Sequence, residues 1–486
     1  MKDDGAEFGA GRGSVLETIE KRNRGAALAV ASVSSFMTPY LSSAVSVALP
    51  ETGRALGLDA VALGWVSTAF LVAAAAFLLP FGKLGDIVGR RKVFGAGVGL
   101  YTLFSALAAL APSGGVLVAA MALSGASAAM IFGTGVAILT SVYPAKERGR
   151  VLGINVAFTY AGLSLGPLFG GFLTHEFGWR SVYLLNVPVG IFALFLVLFR
   201  LKGEWRGEGG QRFDFPGAFL SMLTLGLLVF GLSLLPGAEG FAVIGASAIG
   251  LILFVLREGK AEFPLLSLSL FAGNRSFGMS NLAALINYSA TFALTFFMSL
   301  YLQYIKGMSP ETAGLLLVAQ PVVMVIFSPL AGRLSDRHDP RILASGGMAI
   351  MAAILALLAT LGPSTPLFLI VLELVAVGIG YAFFSSPNTN AVMGSVKPRH
   401  YGVASATLGT MRLVGQMLSM GIAMLLLSLK LGRQAIGPTV HAQFLDSLRT
   451  AFGVFAVLCL VGVFASLARG GREGAGAAGD AGEGPR

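Results

Sequence analysis

Charge is scarce in this chain, and much chemistry is excluded with it. Only 12% of the 486 residues are Asp, Glu, Lys or Arg, about half the roughly 25% usual in soluble domains. Cys459 is the single cysteine and lies inside an apolar run, so no disulfide framework or thiolate metal site can form. The four histidines, His175, His338, His400 and His441, show no ligand spacing. No metal, no cofactor and no enzymatic acid–base constellation is expected. A net charge of +10 can signal nucleic-acid binding, but here the basic residues sort by loop, and no nucleic-acid partner is expected.

What fills the chain is apolar: 55% hydrophobic residues and a mean hydropathy of +0.79. A helix crosses a bilayer core with roughly 20 apolar residues. That ruler gives fourteen spans, at 26–49, 61–82, 93–112, 115–138, 150–174, 181–200, 216–235, 240–256, 277–304, 311–332, 342–362, 366–386, 402–428 and 451–468. The seventh and eighth are short and joined by a Pro236-Gly237 turn. An even count puts both termini on one side. With that side cytoplasmic, only six of 34 Lys and Arg are external (Arg54, Arg180, Lys306, Lys430, Arg433, Arg449), and Arg412 alone is inside a span. This is the asymmetry that orients membrane helices. A multi-pass protein of the cell membrane, expected to be monomeric, follows. The first apolar run is too long for a cleavable signal and reads as a retained span. The glycine-rich end from about Gly470 reads as disordered.

The densest charge lies between spans two and three, in Gly82-Lys83-Leu84-Gly85-Asp86-Ile87-Val88-Gly89-Arg90-Arg91-Lys92. A second copy follows a later second span: Gly332, Leu334, Asp336 and Arg341 match Gly82, Leu84, Asp86 and Arg91. The repeat divides the chain into a cytoplasmic tail (1–25), a six-helix half (26–200), a linker with two inserted helices (201–276), a second six-helix half (277–468) and a disordered cytoplasmic tail (469–486). Duplicated halves are the plan of secondary transporters, with a substrate site near midplane between them. Gly82, Gly85 and Gly89 allow close backbone approach. Asp86 among cations can form a latch with Arg90, Arg91 or a helix end. Gly162, Gly166 and Gly170 recur every fourth residue, a smooth packing face beside Pro167.

Two of these stretches resemble signatures of one family. Gly82-x-x-Gly85-Asp86-x-x-Gly89-Arg90-Arg91 resembles the loop 2–3 motif of the major facilitator superfamily. Gly162-x-x-x-Gly166-Pro167-x-x-Gly170-Gly171 resembles its antiporter motif. With fourteen spans the chain resembles the drug:proton antiporter branch (EmrB/QacA type). The resemblance implies an all-α polytopic fold of two six-helix halves plus two inserted helices. It also implies alternating access, and a cavity lined by the first and fourth helices of each half.

The residues depart from that pattern at two places. Leu41 stands where the branch carries a span-one aspartate, and the fourth span, Met121 to Ala137, holds no arginine. A membrane proton carrier needs a titratable group, and the first-half spans supply none. The candidates for coupling are Glu373 and Arg412. At 1.5 Å per residue they lie within roughly 5 Å of the same depth, able to pair if their helix faces meet. Tyr40, Asn287, Tyr288, Thr291 and Thr295 are candidate cavity residues, with Thr291 and Thr295 sharing a face. Asn388 and Asn390, after Pro387, read as a broken helix end. The expected function is export of hydrophobic or amphipathic drug-like molecules, with protons as the candidate coupling ion. An uncoupled facilitator or lipid transporter of the same fold is the alternative, and it explains the missing acid.

Overall fold

A chain with few polar side chains, placed in lipid, must satisfy its backbone within each segment, and helices do this. In the computed structural model every regular element among the described residues is helical. Residues 4–206, 212–266, 268–396, 401–432 and 434–469 are described; the side chains at 4–22, 145, 146, 148–150, 153, 156, 269, 336, 401 and 402 are not. The expected tail beyond residue 469 therefore lies outside the described residues.

The helices are α1 (Asp4–Leu56), α2 (Ala60–Val88), α3 (Arg90–Ala109), α4 (Gly114–Val142), α5 (Ala145–Phe177), α6 (Arg180–Phe199), α7 (Phe215–Leu234) and α8 (Ala238–Glu258). After a linker come α9 (Arg275–Ile305), α10 (Pro310–Ser335), α11 (Pro340–Leu358), α12 (Leu367–Gly394), α13 (Tyr401–Leu431) and α14 (Pro438–Leu467). Thirteen are long and apolar enough to cross a membrane. The fourteenth, α5, has 33 residues and runs along α1. Several of the scarce polar residues mark helix starts: the side chains of Asp59, Asp214, Asn274, Ser309 and Asp339 each accept a first-turn N–H of α2, α7, α9, α10 and α11.

Packing repeats as the sequence does. In the first half α1 packs on α5, α2 on α4, α3 on α4 and α3 on α6; in the second α9 packs on α13, α10 on α12, α11 on α12 and α11 on α14. The halves meet through α1 with α9, α2 with α13 and α5 with α10. The inserted pair α7–α8 sits outside this frame, with α7 against α2 and α13. On α8, Ile249, Leu251, Ile252 and Leu253 are exposed, a face that only lipid can cover at no cost. One expectation is corrected: α12 runs unbroken through Pro387, Asn388 and Asn390. The interruptions fall instead at Leu185, Phe292 and Val318.

The linker-side ends of the inserted pair are tied by Asp214, which caps α7 and pairs with Arg257 Nη2 at 3.0 Å. Loss of one cap costs about 0.5–2 kcal/mol. Asp214→Ala is therefore expected to lower the thermal midpoint in detergent, measured by unfolding fluorescence, without removing the protein from the membrane fraction.

Candidate functional site

The loop between α2 and α3 is tied into the first half. Arg90 donates to Asp86 Oδ1 at 2.8 Å through Nε and 2.7 Å through Nη2. It also donates to Ser141 Oγ at 2.7 Å and Ala137 O at 3.3 Å, near the end of α4. Arg91 donates to Val197 O at 3.1 Å and Leu198 O at 3.2 Å, the last carbonyls of α6. An exposed i,i+4 ion pair is worth only about 0.3–0.5 kcal/mol. A hydrogen bond from a charged group is worth about 1.5–3 kcal/mol. Hydrogen bonds of this charge-assisted kind hold the loop to α4 and α6, and the Asp86 side chain is 35% exposed.

Sequence reasoning missed Glu204. Its Oε1 accepts Arg91 N at 2.8 Å, and Trp205 O accepts Arg90 N at 2.8 Å, so the irregular segment after α6 straps the loop. Gly89 sits beneath the strap with φ +130°, and a Cβ there would lie 2.5 Å from Glu204 Cδ. Glycine is required on both counts.

The second copy of the loop is built differently. Asp339 caps α11 at Arg341 N (2.8 Å), and Arg341 Nε lies 3.7 Å from Asp339 Oδ2. Gly332 packs beside Ser386 of α12. The Asp336 side chain lies outside the described residues. A second missed residue stands here: Arg469, 3% exposed, donates to Asn388 Oδ1 at 3.0 Å and Ser280 Oγ at 3.3 Å. It also bonds Ser466. Burial pushes its guanidinium down to about 10, with Asp339 acting against the shift. Asn388 thus joins α9, α12 and the end of α14 rather than ending a helix.

The antiporter-like stretch of α5 has two contact faces. Gly162, Gly166 and Gly170 lie flush against α1, at Phe36, Ser43 and Ala44. A Cβ on Gly166 would lie 2.6 Å from Ser43 Cβ and 3.0 Å from Tyr40 O. Pro167 and Gly171 face the other half: Pro167 O meets Gly314, and a Cβ on Gly171 would lie 2.5 Å from Pro310 O.

Between the halves, at mid-depth, is a cavity. Ser42, Ser43 and Ser46 of α1 face Tyr288, Thr291 and Thr295 of α9 across it. Pro167, Gln320, Tyr381 and Gln416 complete its polar and bent-helix walls, with Phe292 and Phe296 as apolar wall. Its volume of about 80 Å³ admits water but not a molecule that needs the roughly 300–1,000 Å³ of a ligand pocket. At the end away from loop 2–3 the halves are sealed: Ser299 Oγ to Ser46 O at 2.7 Å, Gln303 Nε2 to Val47 O at 2.9 Å and Ala60 N to Gln434 O at 3.1 Å. On the loop 2–3 side a bond of 3.2 Å between Tyr160 Oη of α5 and Ser385 Oγ of α12 joins the halves.

The structure brings Tyr288, Thr291 and Thr295 to this cavity but places the other candidates elsewhere. Tyr40, 1% exposed, stacks on Phe36 inside the first half. Asn287 is fully buried behind the wall, and neither end of its amide has a partner. Glu373 and Arg412 form no ion pair. Glu373, 2% exposed, is turned into the second half, within electrostatic reach of Tyr301. Eight residues separate it from Tyr381, about 80° around α12 and about 12 Å along it, which takes it off the cavity face. Arg412 lies one turn below Gln416, within reach of Tyr160 and Tyr381.

Two duplicated helical halves enclosing a mid-depth cavity define a membrane carrier. The profile of the Major Facilitator Superfamily matches residues 31–280 and 280–484, and the chain belongs to that family, one of transporters and not enzymes. The riboflavin transporter RibZ of Clostridioides difficile is 31% identical over 79% of this chain and 84% of its own. The cephamycin export protein CmcT of Amycolatopsis lactamdurans is 33% identical over 91% of this chain and 93% of its own. The puromycin resistance protein pur8 of Streptomyces alboniger is 31% identical over 78% and 77%. Relatives of this kind accord with the drug:proton antiporter branch. A bacterial homologue of the lysosomal transporter Spinster has the same fold, with a TM-score of 0.67 at 17% identity over 92% of this chain and 97% of that one.

The α1–α5 contact yields a direct test. Overpacking a tight seam costs about 1–3 kcal/mol. Gly166→Leu is expected to lower the thermal midpoint in detergent, whereas Gly226→Leu, where a Cβ meets nothing within 4 Å, is expected to leave it unchanged.

Proposed function

We propose that this transporter exports amphipathic small molecules across the cell membrane by alternating access, with both termini and loop 2–3 in the cytoplasm. The observation that carries this reading is the cavity: hydroxyl groups from α1 and α9, aromatic walls, and no carboxylate among the lining residues. Such a lining suits a largely apolar body with a few polar groups. It does not suit a sugar phosphate or dianion, which needs several cations. Several bonds close the outer end and one, Tyr160–Ser385, joins the halves on the loop 2–3 side, so loading comes from the cytoplasm once that bond opens. The Pro167–Gly314 and Gly171–Pro310 contacts between α5 and α10 form the surface on which the halves slide, and the α1–α5 glycine face keeps α5 with its own half. Loop 2–3 is the latch: Asp86 changes partner while Arg90 and Arg91 stay anchored. Glu373 is the candidate proton-carrying group, because its Oε2 has no partner and it lies inside a span.

A second reading, an uncoupled facilitator or lipid transporter, is favoured by Leu41 and by the turn of Glu373 away from the cavity. Purified protein in proteoliposomes separates the two. A panel of cationic, neutral and anionic amphipathic fluorophores is offered with and without an imposed pH gradient. The export reading expects at least one fluorophore to move faster than in protein-free liposomes; no movement of any of them overturns it. Dependence on the gradient marks coupling, and indifference marks the facilitator.

Two variants follow in the same assay. Asp86→Asn is expected to insert normally and to slow transport several-fold, and an unchanged rate removes the latch role. Glu373→Gln is expected to abolish gradient-driven accumulation while leaving exchange intact; accumulation equal to that of the parent assigns coupling elsewhere.

A further inference from the structure

Arg412 is the charged side chain that the fold leaves at membrane depth between the halves. It is half-buried on α13. It lies one and two turns from Gln416 and Met420, on the stripe of α13 that lines the cavity. Among the described residues neither a hydrogen bond nor an ion pair holds it. The polar groups of this region are phenols and amides: Tyr288 and Tyr381 stack edge to face at 5.7 Å, Tyr160 meets Ser385, and Gln416 lies a turn above Arg412.

Among the described side chains, no carboxylate faces it. None stands on α1, α2, α9 or α10 at the cavity, and Glu373 of α12 is turned away. Glu147, at the start of α5, lies 3.8 Å from Arg24 and outside the cavity. An intramembrane arginine without a counter-ion is costly unless water or a ligand serves it. Its guanidinium presents a planar fork of donors that matches a carboxylate bidentately.

We infer that the cavity takes an organic monoanion with a flat aromatic or conjugated body, its carboxylate or phenolate set against Arg412 and its ring against Tyr288 and Tyr381. This rests on the export reading and names its substrate class. The single cation fits one negative charge. The tyrosine hydroxyls and Gln416 supply further donors. Phe292 and Phe296 cover the remaining apolar surface. Carrying such an anion outward moves negative charge out of the cell. An interior-negative potential of 100 mV then supports roughly 50-fold accumulation outside with no other energy source.

The test compares benzoate, 1-naphthoate and 9-anthroate with their amides and with the matching arylmethylammonium ions. Binding to the purified full chain is measured by calorimetry. The carboxylates are expected to bind, each at least tenfold tighter than its amide, and the ammonium ions weakest. Arg412→Gln is expected to remove that preference while amide binding stays the same, and Arg412→Lys is expected to keep part of it. In proteoliposomes a lumen-positive potassium diffusion potential is expected to accumulate the labelled carboxylate. Carboxylate binding no tighter than amide binding, or preference unaltered in Arg412→Gln, overturns the inference. Fluorophores moved only when neutral or cationic overturn it while leaving the export reading standing; a protein that moves nothing overturns both.

Discussion

A polar group inside a bilayer has no water to answer it, and every charged residue in this chain is placed by that constraint. The acids that remain near the membrane start helices, as Asp59, Asp214 and Asp339 do. The arginines finish them: Arg91 closes α6 and Arg90 reaches the end of α4. Arg469 is buried but fully engaged by Ser280, Asn388 and Ser466. Against that background the groups that lack a partner stand out. Among the described buried groups these include both ends of the Asn287 amide and one oxygen of Glu373, and a carrier is the kind of protein in which such groups have work to do.

The second consequence is that association between helices cannot come from excluding water. It comes from close packing of small residues. The α1–α5 seam is the clearest case, because three glycines spaced by one turn remove every side chain from one face. A seam without interdigitated side chains resists separation but offers little resistance to sliding. The opposite face of α5 meets α10 through Pro167 and Gly171. One helix therefore touches both its own half and the other, as α1 and α2 also do, and a shift between halves changes its contacts.

Much of this was legible in the sequence, for physical reasons. Span count depends on hydropathy, which is a local property, so the fourteen helices could be read directly. Tyr288, Thr291 and Thr295 could be assigned to a cavity wall because they share one face of a helix that the resemblance put at the centre. What was not legible depended on rotation about helix axes. Glu373 and Arg412 were expected at similar depth, yet Glu373 lies about 12 Å along α12 from Tyr381, beside which Arg412 sits, and about 80° around the helix from it. Tyr40 fails for the same reason. Glu204 and Arg469 looked like ordinary loop charges; no local pattern tells a basic or acidic residue at a span end that it will fold back into the bundle. Pro387 misled in the opposite direction, since neighbouring helices in a membrane support a proline that would break a lone helix.

The asymmetry between the halves bears on mechanism. The first half offers the cavity only serines, several already bonded to backbone: Ser43 to Leu163 O and Ser46 to Ser42 O. The second half offers two tyrosines, two threonines and two glutamines. The polar variety of the cavity thus lies mainly on the second half, and the first presents a smoother counter-surface carrying the better-anchored loop. The present volume of about 80 Å³ is too small for any substrate of the proposed kind. Entry must separate the walls, and the Tyr160–Ser385 bond on the loop side is the contact that has to open. That bond lies next to Arg412, so the charge that would attract an anion and the bond that would admit it are neighbours.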